Sequence, residues 1–135
     1  MAGLTDCITD ASWVDLFTLW FVLVDDAYQA QTPQEQYVAA HIAALRAGAA
    51  LLAVRAKPSR SSRIRSVWQM LPGIAPELAE WCAYFDAIGR RRVFVEIGRE
   101  PVSQRQADDL VRDAQLFLGC IADQLEVGLP MPIAG

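Results

Sequence analysis

Residues 103–125 read SQRQADDLVRDAQLFLGCIADQL, and this stretch decides the fold class. Ala107, Leu110, Val111, Ala114, Phe117, Leu118, Ile121 and Leu125 recur at the spacing that lines one face of an α-helix, while Asp108, Asp109, Asp113 and Asp123 fall mostly elsewhere. Ser103 followed three positions later by Gln106 is a capping-box signature, in which the serine hydroxyl accepts a first-turn amide and the glutamine reaches back to the cap. The pattern predicts a surface helix over 103–126 with one packed face.

Reading back toward the N-terminus, the same rules predict three more long helices. One spans 76–98, opening on Pro76 with Glu77 and Glu80 near its positive end. Its expected buried stripe is Leu78, Trp81, Cys82, Phe85, Ile88, Val93 and Ile97; Gly89 is a weak point, and Gly98 followed by Pro101 ends it. Before it, Val67 to Leu71 reads as a short helical turn stopped by Pro72-Gly73, and the serine- and arginine-rich run 57–65 as an exposed connector. Thr32-Pro33-Gln34-Glu35 opens a helix over 33–56, with Thr32 as cap, Pro33 in the first turn and Glu35 completing a capping box. Tyr37, His41, Ala44, Leu45, Gly48 and Leu52 share its inward stripe, and Ala40, Ala43, Ala47, Ala49 and Ala50 allow a neighbour to approach closely.

The remaining helix, 12–30, starts at Ser12 and is apolar nearly all round. Leu16, Phe17, Trp20 and Val24 make one stripe, and Val14, Phe21 and Val22 lie on other faces. Such a helix needs cover on more than one side, which a second copy of a short chain supplies. A homodimer is therefore expected, built on the first two helices or on the second with the third. Together the elements predict an all-α, up-and-down antiparallel four-helix bundle with a short extra helical turn between the second and third long helices. It forms one domain over 1–135 with a mobile tail at 128–135.

Composition narrows the function. The 135 residues suffice for one core, and 53% hydrophobic against 21% charged excludes a disordered chain. A net charge of −4 disfavours general, charge-driven nucleic-acid binding. Cys7, Cys82 and Cys120 show neither disulfide nor zinc spacing, which fits a reducing cytoplasm, and Cys82 and Cys120, on predicted core stripes, read as inert buried thiols. The apolar stretch from Trp13 to Val24 is interrupted by Asp15 and is too short to span a bilayer; the chain reads as neither secreted nor membrane-spanning.

Candidate chemistry is sparse. A single histidine, His41, excludes two-histidine metal motifs and reads as a packed, hydrogen-bonded core residue; no metal, cofactor or catalytic residue is assigned. Arginines gather around the connector, including Arg63 and Arg65, and near the end of the third helix, at Arg91, Arg92 and Arg99, with Arg105 just beyond. These six are the candidate binding residues, because a guanidinium holds phosphate bidentately. Trp68 is expected to plug the end of the bundle. Trp81, Phe85, Leu110 and Phe117 are expected in the core.

The stretch Arg65-Ser66-Val67-Trp68-Gln69-Met70-Leu71-Pro72, then Ala75-Pro76-Glu77-Leu78-Ala79-Glu80-Trp81, then Gln106-Ala107-Asp108-Asp109-Leu110 with Arg112-Asp113-Ala114, resembles a small stand-alone actinobacterial branch of the HEPN (higher eukaryote and prokaryote nucleotide-binding) domains. The resemblance runs from about Tyr37 to Leu125 and includes Ala39-Ala40-His41 and Ala43-Ala44-Leu45-Arg46. It implies a four-helix bundle, often dimeric, in a superfamily of metal-independent ribonucleases of toxin systems, nucleotidyltransferase partners and inactive binding versions. Active members carry an Arg followed four to six residues later by His. Here His41 has no Arg four to six positions upstream, and Arg99 is followed at the right distance by Arg105. An arginine does not exchange protons near neutral pH as an imidazole does. The expected function is thus a non-catalytic dimeric module that binds a partner protein or a nucleotide or RNA ligand. The alternative is a toxin-type ribonuclease with an atypical arginine-rich site.

Overall fold

The computed structural model describes residues 18, 21, 25, 26, 29–55 and 66–125. Helices α1 (Pro33–Arg55), α2 (Val67–Ile74), α3 (Ala79–Glu96) and α4 (Gln104–Gln124) follow in order, with a single 3-10 turn at Pro76–Leu78 leading into α3. Among the described residues there is no strand, and the chain is all-α. The expected helix 12–30 lies outside the described residues except at positions 18, 21, 25, 26 and 29, which are helical. The connector arginines Arg60, Arg63 and Arg65, with Lys57, Cys7 and the tail 128–135, also lie outside them.

Local chemistry accounts for the helix ends. Thr32 Oγ1 accepts from the Glu35 amide at 3.1 Å, while the Glu35 carboxylate accepts from the Gln31 amide, one residue before the expected reciprocal partner. Ser103 and Gln106 form the complete capping box. So do Ser66 and Gln69 at the start of α2, whose signature in the sequence also stands three residues apart. Pro72 does not stop α2 but lies inside it. A proline removes one amide and fixes φ at a helical value, a loss confined here to one bond in a two-turn helix ending at Ile74. At the end of α3 the Arg99 amide bonds Phe94 O at 2.9 Å and the Gly98 amide bonds Val95 O at 3.1 Å, with Gly98 at φ 75°. That pair of bonds is a Schellman motif, and the left-handed residue it demands is the glycine.

The core lies where α1 meets α4 and α3. Gln36 at the start of α1 bonds Gln104 and Asp108 at the start of α4, and Arg55 at the end of α1 bonds Gln124 at the end of α4, so these helices run in the same direction. Ala40, Ala43, Ala44 and Ala47 of α1 are buried, as are Leu110, Ala114, Phe117 and Ile121 of α4. The small α1 residues let the helices close; a Cβ on Gly48 would stand 2.7 Å from Val67 Cγ1 of α2. By length and composition α1 is apolar enough to cross a membrane, but half of that stretch is buried inside the protein, as in any core helix.

The α3 stripe departs from expectation in its second half. Leu78, Cys82 and Phe85 are buried, and the buried line then continues through Gly89 and the half-buried Arg92 to Val95. Val93 is 56% exposed and Ile97 61% exposed. The helical repeat of 3.6 carries the face that starts at Phe85 through 89 and 92, which leaves 93 and 97 on the flank.

Candidate functional site

Helix α1 presents Tyr37 and His41, four residues apart and hence on one face, to the C-terminal half of α3. His41 is 3% exposed, and its Nε2 lies 3.1 Å from the main-chain oxygen of Phe85. A carbonyl only accepts, so the proton is on Nε2 and Nδ1 is a bare acceptor, buried without a partner among the described residues. Burial, then the nearby Arg92 guanidinium, pushes the imidazole down to about 4. It is neutral at physiological pH and shielded from any substrate. Gly89 sits against the ring: a Cβ there would lie 3.0 Å from Nε2.

The arginines divide into two sets. Arg91 Nε donates to Glu100 at 2.6 Å, its Nη2 donates to Pro101 O, and its guanidinium lies 5.6 Å from the centre of the Tyr37 ring. Arg92 Nε is 3.1 Å from a Glu96 oxygen, close enough for an ion pair but not aligned for a hydrogen bond. These two hold the end of α3 together. Arg99, in the α3–α4 connection, and Arg105, in the first turn of α4, are exposed and have no ion-pair partner among the described residues. Arg63 and Arg65 lie outside the described residues.

The aromatic core sits beyond His41. Trp68 is 7% exposed and stacks on Phe85 at 5.3 Å, with Phe117 at 5.8 Å. Phe85, Leu110 and Phe117 are fully buried. Trp81, expected in the core, is half-buried at its margin: Phe85 and Phe117 back its ring, and it lines a groove with Glu77, Glu80, Tyr84 and Asp113. The sequence reading missed this groove, although positions 77, 80, 81 and 84 carry the spacing of one helix face. The thiols of Cys82 and Cys120 are unactivated. Burial pushes Cys82 up to about 11 and also raises Cys120.

The family model for SAV_6107-like HEPN matches residues 27–122, which includes all of α1 to α3 and nearly all of α4. The chain belongs to the SAV_6107-like HEPN family. No curated protein and no solved structure matches it. In this HEPN chain the histidine is a core residue of α1, and Arg99 and Arg105, exposed and without an ion-pair partner among the described residues, stand at and just after the α3–α4 connection with no imidazole beside them in the sequence.

Proposed function

We propose that this HEPN protein is a non-catalytic, dimeric binding module for a partner protein or a nucleotide or RNA ligand. The observation that carries the reading is the burial of His41. With Nε2 committed to Phe85 O and the ring 3% exposed, the chain's sole histidine is withdrawn from proton transfer to a substrate. Among the candidate arginines, Arg99 and Arg105 are exposed and without an ion-pair partner among the described residues, which suits them to a phosphate, and Arg91 and Arg92 support the helix end behind them.

In this reading segment 12–30 completes an up-and-down four-helix bundle in the cytoplasm. A second copy covers the C-terminal flank of α3 together with α1. Val93 and Ile97, with Phe94 at 46% exposure, are large apolar side chains in water, near a groove whose lining mixes Val38, Ala39, Ile42 and Val95 with Glu35 and Glu96. Apolar surface of this kind favours a two-fold contact. Titrating a short single-stranded RNA and free nucleotides into the protein tests the phosphate side. Binding weakened severalfold by Arg99→Ala and Arg105→Ala supports a nucleotide or RNA ligand. Absence of binding at millimolar ligand, with a protein recovered by pull-down from native cytoplasm, supports the protein partner. Hydrolysis of the RNA overturns the reading.

A further inference from the structure

The groove between α3 and α4 is a second feature, roughly 25 Å along α3 from Arg99 at about 1.5 Å of rise per residue. It encloses about 430 Å³ and is lined by Glu77, Glu80, Trp81, Tyr84 and Asp113. That size lies within the range of small-ligand sites, about 300–1,000 Å³.

Two of its walls are aromatic. The rings of Trp81 and Tyr84 meet nearly at right angles, 73° apart with centroids separated by 6.2 Å. Trp81 is held from behind by Phe85, stacked at 5.8 Å, and by Phe117 at 5.9 Å, so its orientation is set by the core. Tyr84 is fixed by its hydroxyl, which donates to Asp113 Oδ2 at 2.6 Å across the groove from α4. An aromatic corner of this kind is a cost to leave in water and a receptor for one class of ligand, because the ring faces carry negative charge.

The carboxylates select the sign of that ligand. Glu77 accepts from Gln124, and Asp113 accepts from Tyr84 and lies 3.4 Å from Arg112, whereas Glu80 has no hydrogen bond or ion pair among the described residues. An anion or a nucleotide phosphate is repelled here. A compact inorganic cation has no use for the aromatic faces, and among the described residues no group of three or more side chains is placed to ligate a metal ion.

We propose that this groove binds a guanidinium group, with the planar cation against the Trp81–Tyr84 corner and its N–H groups donating to Glu80. A guanidinium is flat, weakly hydrated and carries its donors in a fork that matches a carboxylate, which distinguishes it from a lysine ammonium. The site is separate from Arg99 and Arg105 and does not depend on them. Its two sources are an arginine side chain of a partner protein and a free guanidino compound.

The test is a titration of the full-length protein with an acetylated, amidated tetra-arginine peptide and, separately, with agmatine, followed by ¹H–¹⁵N NMR at low salt. Saturable shifts of the Trp81 indole N–H and of the amides of residues 80–84 and 113 are expected, with affinity lowered at least fivefold in Glu80→Gln. Glu80 is exposed, so this variant keeps its fold. Trp81→Phe, which keeps a core-facing ring, should weaken binding in the same direction. Shifts with both probes identify a small-molecule site, and shifts with the peptide alone identify an arginine on a partner protein. No saturable shift with either probe at millimolar concentration, or equal binding by wild type and Glu80→Gln, overturns the proposal.

Discussion

The imidazole Nε2 of His41 donates to the main-chain oxygen of Phe85 across 3.1 Å, tying the centre of α1 to the centre of α3. The folded state therefore prefers the neutral ring, with a pKa near 4 against 6.5 for the free side chain, first through burial and then through Arg92. The unfolded chain binds the proton at higher pH, so stability is lost as pH falls from about 6.5 to about 4. The loss is of order 3 kcal/mol, at about 1.4 kcal/mol per pH unit. Urea unfolding at pH 7, 5.5 and 4.5 should show a drop in the midpoint that His41→Phe lacks. Parallel pH profiles for the two proteins would contradict the buried neutral assignment.

Gly89 and Gly119 both occupy helix interiors and should respond oppositely to alanine. A Cβ on Gly89 would stand 3.0 Å from His41 Nε2, whereas one on Gly119 would meet nothing within 4 Å. Overpacking at the first site should cost about 1–3 kcal/mol and outweigh the helix-propensity gain. Gly119→Ala should stabilise by about 0.5–1 kcal/mol. Thermal melts of the two variants check the sign of each.

Trp68 and Trp81 should also separate. Trp68→Ala removes a ring enclosed by Phe85, Phe117 and His41 and should cost about 3–5 kcal/mol. Trp81→Ala removes a half-buried ring and should cost less. Denaturant midpoints that rank the two variants the other way would show that the groove ring is the one the core depends on.

The parts of this fold legible in the sequence are those whose signals are local. Ser103 and Thr32 mark their helix starts because a cap and its amide lie within one turn, and the α4 stripe is unbroken by any residue that shifts its phase. Ser66 and Gln69 carry the same signal, but it was masked by Pro72-Gly73, which promised a stop that a short helix does not need. Beyond Gly89 the face of α3 is harder to follow in the sequence: glycine contributes no side chain to mark it, so the apolar spacing points to Val93 and Ile97 while the packed line runs through Arg92 to Val95. The site was less legible still. Burial of His41 could be anticipated from its stripe, but its pairing with Phe85 and its nearness to Arg92 depend on two helices distant in sequence. The Trp81–Asp113 groove likewise exists only once α3 meets α4.

Dimerisation should rest on the exposed flank of α3. By light scattering at high micromolar concentration the wild type should show twice the 14.9 kDa of one chain, and Ile97→Glu should reduce it to one chain with unchanged helical content. A buried, unpaired carboxylate opposes association, whereas on a free surface it costs little. A wild-type mass of one chain would contradict the dimer.

Incubation of purified protein with a mixture of structured and single-stranded RNA, without added metal and at molar excess of protein, tests the central claim most directly. The expected result is intact RNA over hours, from the wild type and from Arg99→Ala and Arg105→Ala alike. Metal-independent cleavage by the wild type that either substitution abolishes would contradict a non-catalytic module.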